Sequence, residues 1–576
     1  MYFRVILLLS FSWTVVGADK QGSQMVTVGP TSDCDYSSIQ AAINSNPDEI
    51  RVTDSGGNVF VENLLIENQN LLINGAFSDC TSASIGFENG FRSTIAGSTI
   101  TGSLIQIMGD QQRYEVTIKN MSIESGDGQF GGGLAVLQAD LQLALENVAF
   151  SGNTADSGGA IAVVGGDVNV QAIDLQISQN NANEGGGIYC SGFNNKLIFQ
   201  DTGNPDVGIF SNSATKGDGG GVFLTEGCEF TSYMGSAYFD TFTDFRGINR
   251  NTATGKGGGV AVENGAKLYL KGYQECINGE CIGNNQDAVT IGENQADGFG
   301  GGISAKGKGT LVEAYAFNIH SNNAISGAGI SMEQNARLVT DNLYVNCWQP
   351  GACNQIINNK ASFTGGAFYA QSGAELYITK TLFNRNRADL AVIASVWGNA
   401  LLNIDSSIVA FNANNGEGGF NDEYLFNVFS GGLFNLSFST IGNNFTPSAM
   451  IRNGGTRVQL IGSIIYDPDS SIYTTVTSGI LNAECLVLSD DENITGTDIL
   501  LEEPSFISAV SGDFHLLPNS PAIDLCAPDT LVIQDLDLNA RGIDVPNMPN
   551  NEGPYDAGAY EFRPDLIFGN GFEILD

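Results

Sequence analysis

One element governs what this chain can fold into: an Ile or Phe, two residues, an Asn, one residue and an Ala, present in eight copies. They are Phe150-Asn153-Ala155, Ile177-Asn180-Ala182, Ile209-Asn212-Ala214, Ile248-Asn251-Ala253, Ile291-Asn294-Ala296, Ile319-Asn322-Ala324, Ile356-Asn359-Ala361 and Phe383-Asn386-Ala388. The first seven lead into a glycine cluster and a short apolar run, as in Gly158-Gly159-Ala160-Ile161 and Gly219-Gly220-Gly221-Val222. After the eighth, Leu390-Ala391-Val392-Ile393 follows directly. Successive asparagines lie 27, 32, 39, 43, 28, 37 and 27 residues apart. A fixed minimum with variable additions describes a solenoid coil that carries loops of different length.

Between glycine clusters the apolar residues alternate with period two. After Gly159 come Ile161-Ala-Val163, then Val168-Asn-Val170 with Ala172, then Leu175-Gln-Ile177. These runs are strands too closely spaced for intervening helices. The expectation is an all-β chain, a single-stranded right-handed parallel β-helix with three strands per coil and a short N-terminal cap helix. The asparagines stack as a structural ladder, Asn153, Asn180, Asn212, Asn251, Asn294, Asn322, Asn359 and Asn386, each bridging its own turn and the adjacent backbone. Glycines serve the corner where positive φ or close backbone approach is required. In Tyr36-Ser-Ser-Ile-Gln-Ala-Ala-Ile43, residues Ile39, Ala42 and Ile43 fall at helical spacing behind Ser37 or Ser38, so a cap helix is placed there, with Ile50-Arg-Val52 as the first strand.

The formal charge is −39 over 576 residues, and it comes from a shortage of Lys and Arg (24 together) rather than from acidic blocks. No basic stripe interrupts it, which disfavours nucleic acid and anionic membranes as partners. Met1 to Ala18 reads as a signal peptide: Arg4, an apolar run from Val5, and Val16-Gly17-Ala18 as the small-residue exit. The mature chain is therefore expected to be secreted or displayed at the cell surface, without a transmembrane span and as a monomer. Ten cysteines in an exported chain favour disulfides. Cys276 with Cys281 and Cys347 with Cys353 are close in sequence and are expected to staple local loops, whereas the pairing of Cys34, Cys80, Cys190, Cys228, Cys485 and Cys526 is open.

The F/I-x-x-N element paired with G-G-A/I resembles the repeat of chlamydial-type polymorphic outer-membrane proteins, and of bacterial right-handed parallel β-helix surface proteins generally, over about 120–390. Those outer-membrane proteins end in a translocating β-barrel, and self-translocation is not expected of this sequence. A second stretch contains Ser520-Pro-Ala-Ile-Asp524, Asp535-x-Asp537-x-Asn539-x-Arg541-Gly542 and Asp556-Ala-Gly-Ala-Tyr-Glu561. It resembles the C-terminal choice-of-anchor module of secreted bacterial β-helix proteins, which implies surface or secretory sorting. The final Ile567-Phe-Gly-Asn-Gly-Phe-Glu573 is similar to a short tail of exported gammaproteobacterial proteins. The expected organisation is signal peptide 1–18, cap and first coil 19–60, repeats 61–400, degenerate coils 401–510, C-terminal module 511–562 and tail 563–576.

No catalytic residue is assigned from the sequence. Gly126-Asp-Gly128-Gln-Phe-Gly131 matches G-x-G-x-x-G, but a strand follows where a dinucleotide site needs a helix. Gly302-Ile-Ser-Ala-Lys-Gly307-Lys308 imitates a phosphate loop but continues with Gly309 instead of Ser or Thr. Asp535, Asp537 and Asn539 have the alternate spacing of a calcium loop without its closing glutamate, so carboxylate pairing with Arg541 is the preferred reading, weak calcium binding the other, and no cofactor is expected. His320, at an x position of a repeat, reads as a solvated turn residue, and His515 as equally unremarkable. The sequence points to a non-catalytic scaffold, adhesin-like or binding matrix or glycan, with an extracellular glycan or surface protein as partner. Its contacts would lie on the inter-repeat loops 226–247 and 266–290, where Tyr233, Tyr238, Phe239, Phe242 and Tyr273 either stack on sugars or bury locally. The rival is a polysaccharide lyase or glycoside hydrolase acting on acidic polysaccharide, since such enzymes share the parallel β-helix. The G-H-G, R-I-K and W-I-D-H motifs that would mark one are missing from the sequence.

Overall fold

The computed structural model describes residues 24–564 apart from 55–56, 58, 98–100, 111, 236–244, 273–274, 278–279, 283–287, 342–353, 414–418, 477–478, 490–493, 530–531 and 546–551. The chain is a parallel β-helix: three long sheets of 30, 14 and 9 strands wind along one axis, and each strand pairs in parallel with its counterpart one coil on. Leu134 lies beside Ile161 and Ile161 beside Ile188, a register that repeats at every coil. Apolar side chains from all coils point inward and form one continuous core from Val26 to Ile494.

A regular coil has four strand segments. In the coil after Gly159 they are Ile161–Val164, Asp167–Ile173, Gln176–Ser178 and Asn181–Glu184. The first belongs to the 14-stranded sheet, the second and third to the 30-stranded sheet, and the fourth to the nine-stranded sheet. Three of these are the apolar runs of the sequence. The fourth is short and polar, and its inward residue is the alanine of the repeat: Ala296, Ala324, Ala361 and Ala388 stack into a small core of their own with Ala328. An alanine suits this place because the narrow corner beside the glycines has room for a methyl group and little more.

The N-terminal end differs from expectation in one respect. The first strand is Met25–Val28, ahead of the helix, and it pairs with Glu49–Thr53. Four residues with one clear alternation carry too little periodicity to be read. Its outer edge is occupied, because Asp35 accepts from Thr27 N and Oγ1, and Tyr36 N donates to the Thr27 carbonyl. That blocks strand addition at this end. Helix Ile39–Ile43 follows, with Ser38 as N-cap accepting from Ala41 N and with Ile39, Ala42 and Ile43 buried. A second helix, Cys80–Ile85, starts in a capping box formed by Asp79 and Ser82.

Among the described residues, three disulfides link distant parts. Cys34–Cys80 ties the N-terminal turn to the second helix, Cys190–Cys228 joins adjacent coils inside the core, and Cys485–Cys526 fastens the C-terminal segment to the last long strand, Ile480–Leu488. Cys276 and Cys281 face each other across the antiparallel hairpin Glu275–Ile277 and Glu280–Ile282. Their side chains, together with Cys347, Cys353 and the signal peptide, lie outside the described residues.

Candidate functional site

The asparagine at each corner follows a residue in the left-handed region: Gly152, Gln179, Ser211, Arg250, Glu293, Ser321, Asn358 and Arg385 have φ from 54° to 64°. All but one of these have a Cβ and pay about 1–2 kcal/mol for that conformation. The asparagine hydrogen bonds hold the bend. Asn153 N and Nδ2 both donate to Asn180 Oδ1 at 2.9 Å, and the pattern passes from coil to coil. Each Nδ2 also donates to the carbonyl of the Ile or Phe three residues before the preceding asparagine, as Asn180 does to Phe150 and Asn212 to Ile177. The I-x-x-N spacing is therefore the distance from a carbonyl acceptor to the amide that the next coil reads. The row begins at Gly126 N, which donates to Asn153 Oδ1. It runs beyond the eighth repeat through Asn412 and Asn444 and ends at Asp467.

The glycine cluster sits one corner on. The first glycine of each cluster has positive φ, as in Gly158 (71°) and Gly185 (61°). The second has none, but a Cβ there would overlap the next coil's backbone: at Gly220 it would strike the Gly258 and Thr252 carbonyl oxygens. The two motifs that mimic nucleotide loops belong to this architecture. Asp127–Phe130 is a strand of the nine-stranded sheet and Ile303–Lys306 one of the 14-stranded sheet.

Within the eight repeats, the long additions that make coil lengths vary fall at one corner. Segments 201–207, 233–247, 272–288 and 342–353 all lie between the second and third strands of their coils. Neighbouring bases are stitched together. Asp201 accepts from Gly235 N and pairs with Arg246 at 3.8 Å, Phe210 stacks on Phe245 at 4.5 Å, and Arg250 lies over Phe245 and pairs with Glu293. Tyr233 is buried with Lys271 Nζ 6.0 Å from its ring centre, so it packs locally. Tyr238, Phe239, Phe242 and Tyr273 lie outside the described residues.

The C-terminal segment lies along the flank of the last coils. Arg541 Nη2 donates to the carbonyls of Phe438, Gly558 and Ala559, and its guanidinium lies over the Phe438 ring at 4.8 Å. Around it, Glu561 accepts from Gly542 N, Ile543 N and Asp556 N, Asp535 from Glu561 N and Asn539, and Asp556 from Asp524 N and Phe562 N. The acids of the three C-terminal motifs thus share one network. Burial raises the pKa values of the Asp535, Asp556 and Glu561 carboxyl groups above the ordinary range and lowers that of the Arg541 guanidinium. Here acids and an arginine converge, yet the Arg541 and Glu561 side chains are 0% exposed, which makes the cluster a packing network and not an open cleft.

Asp535, Asp537 and Asn539 do not converge on a point. Asp535 takes backbone donors, Asp537 faces His515 Nε2 at 2.8 Å, and Asn539 Oδ1 accepts from Arg563. His515 differs from the bland expectation: Asp513 Oδ1 is 2.6 Å from its Nδ1, and its ring stacks on Tyr560 with centres 3.8 Å apart. His320 also differs. It is largely buried over Gly292 of the neighbouring coil, and that burial lowers its pKa against the pull of Glu293.

Stacked four-segment coils, an internal asparagine ladder and a glycine corner define a repeat-built parallel β-helix. One copy of the repeat is similar to that of the polymorphic membrane proteins: the family model described as Chlamydia polymorphic membrane protein (Chlamydia_PMP) repeat matches residues 147–163, which hold Asn153 and Gly158-Gly159-Ala160-Ile161. No curated protein matches the chain. Among the described residues no helix is long and apolar enough to cross a membrane.

Proposed function

We propose that this protein is an exported, non-catalytic scaffold of the cell surface, adhesin-like in use, that holds a glycan or protein partner on the loops of one corner. The observation that carries this reading is the placement of these four insertions at a single corner of the coil, three of them in successive turns and the fourth one coil further on. A rigid solenoid presenting adjacent variable loops is a recognition surface in form. The polymorphic membrane protein repeat supports surface display, and export through an N-terminal signal peptide is part of the same proposal. The choice-of-anchor resemblance of residues 511–562 enters only as a proposed sorting element.

The test is a binding screen of the mature chain against neutral and acidic glycans and cell-surface preparations, with and without calcium, alongside a variant whose 233–247 and 272–288 loops are cut to the length of the regular 27-residue coil. Binding that the shortened variant loses supports the proposal. Release of unsaturated or reducing ends from polygalacturonate or alginate would overturn it in favour of polysaccharide cleavage.

A further inference from the structure

His515 bridges two carboxylates. Its Nδ1 is 2.6 Å from Asp513 Oδ1 and its Nε2 is 2.8 Å from Asp537 Oδ2. A carboxylate that is ionised only accepts hydrogen bonds, so a ring that bonds to two of them donates from both nitrogens, and an imidazole with two N–H groups is the charged form. The bridge joins strand Asp513–Leu516 to the turn at 535–539, and the Tyr560 ring stacked on the imidazole adds a third segment. Beneath them the flank rests on the solenoid through an apolar seam, in which Phe514, Leu536, Ala559 and Tyr560 meet Ile408 and Ala410, and through a few polar contacts. Ala559 N donates to Thr440 Oγ1, Gly558 N to the Gly462 carbonyl, Arg541 Nη2 to the Phe438 carbonyl, Asn443 Nδ2 to the Ala509 carbonyl and Ser406 Oγ to the Gln534 carbonyl, while Phe514 lies against Gly442. The Cys485–Cys526 disulfide links flank and solenoid from the side.

We propose that residues 505–564 form a proton-held flank: charged His515 clamps the 535–539 turn to the Asp513–Leu516 strand, and loss of its proton loosens the flank from the solenoid while the Cys485–Cys526 disulfide keeps it attached. The other ionisable groups packed here act in the same direction. Asp405 on the solenoid side, and Asp535, Asp556 and Glu561 on the flank, act on the guanidinium of Arg541, Asp524 lies beside Asp556, and burial raises all five carboxyl groups, Asp405 to about 6. Lys380 and Asp529 act on Asp405 and Asp544 on Asp524, with Arg563 bound to Asn539 nearby. For His515, burial opposes the charge, and the hydrogen bonds and charges of Asp537 and Asp513 outweigh it, so its pKa is raised. Groups that bind protons more tightly in the docked state stabilise docking at low pH, and that stabilisation is lost as pH rises through their docked values. Alkalinity therefore releases the flank and acidity seats it.

His320 and His515 are the two histidines of the chain, so the imidazole signals of ¹⁵N-histidine-labelled protein can be assigned from one His320→Gln variant. The expected result is a His515 ring protonated on both nitrogens at neutral pH, titrating above the ordinary histidine range. Across that titration, peptides from 505–516, 533–541 and 556–562 should lose hydrogen-exchange protection beyond the intrinsic base-catalysed rate, with solenoid peptides unchanged. Asp537→Asn should move the midpoint down by about one pH unit, and His515→Gln should leave the three peptides exchanging fast at every pH. A neutral His515 tautomer at pH 7, or protection of the flank that is independent of pH in the native protein, would overturn the proposal whether or not the variants fold.

Discussion

The backbone N–H of Asn444 donates to Asp467 Oδ2 at 2.7 Å, so the row of ladder amides ends on a carboxylate. An amide at this place would continue the row, but the next coil offers a serine: Asp467 N donates to Ser489 Oγ. Burial raises the Asp467 carboxyl to about 6, against the opposing hydrogen bond from Asn444 N. Because the folded state binds this proton more tightly than the unfolded chain does, the group's contribution is fully present below about pH 4 and is lost as pH rises through 6. Asp467→Asn should flatten that part of the stability profile, by on the order of 2 kcal/mol between pH 4 and pH 7, in urea titrations followed by exchange at 441–467.

Loss of an internal rung should be costly and local. Asn251→Ala leaves Asn212 N and Nδ2 without their shared acceptor and the Ile209 carbonyl without its donor, all of them buried. We expect a loss of about 3 kcal/mol, concentrated in exchange from the 209–214 and 248–253 peptides, with coils beyond 322 unaffected.

Two glycines separate close approach from backbone conformation. Gly220→Ala would push a methyl group into the Gly258 and Thr252 carbonyls, whereas Gly265 has φ of 79° and open space around its missing Cβ. Thermal unfolding should show Gly220→Ala costing about 3 kcal/mol or more and Gly265→Ala about 1 kcal/mol.

Reduction under native conditions should follow burial. Cys190 and Cys228 are both fully enclosed in the core, while Cys34 is partly exposed. In thiol titrations with alkylation and peptide mapping, Cys34–Cys80 should open before Cys190–Cys228, which waits for local unfolding of its coils.

The coil was legible because asparagine, glycine and apolar residues return at fixed offsets from one another. The reading stopped at Asn386 for an instructive reason. Asn412 and Asn444 keep the same contacts, but Asn414 and Thr446 stand where the repeat has alanine. That alanine is required by the fourth strand segment, and the nine-stranded sheet ends at Arg387–Ala388, so the asparagine outlives its companion. The C-terminal network was legible as three motifs but not as one object. Nothing in the spacing of Asp524, Asp535, Arg541, Asp556 and Glu561 shows that the carboxylates are neighbours, or that Phe438, a hundred residues earlier, lies beneath the guanidinium. The same holds for the three long-range disulfides, which join segments that meet only after the coils have stacked.

The bonds between coils run along the length of the molecule, and this has a mechanical meaning for a protein held at one end and pulled at the other. Tension along the axis loads the coils in series, so failure starts by peeling at a terminus rather than by rupture in the middle. Cys34–Cys80 closes a loop at one terminus and Cys485–Cys526 at the other, where peeling would begin. Each puts a fixed limit on how much chain a pull can pay out before it meets a covalent bond. With Cys190–Cys228 locking two adjacent coils between them, the rod behaves under load as a spring with stops.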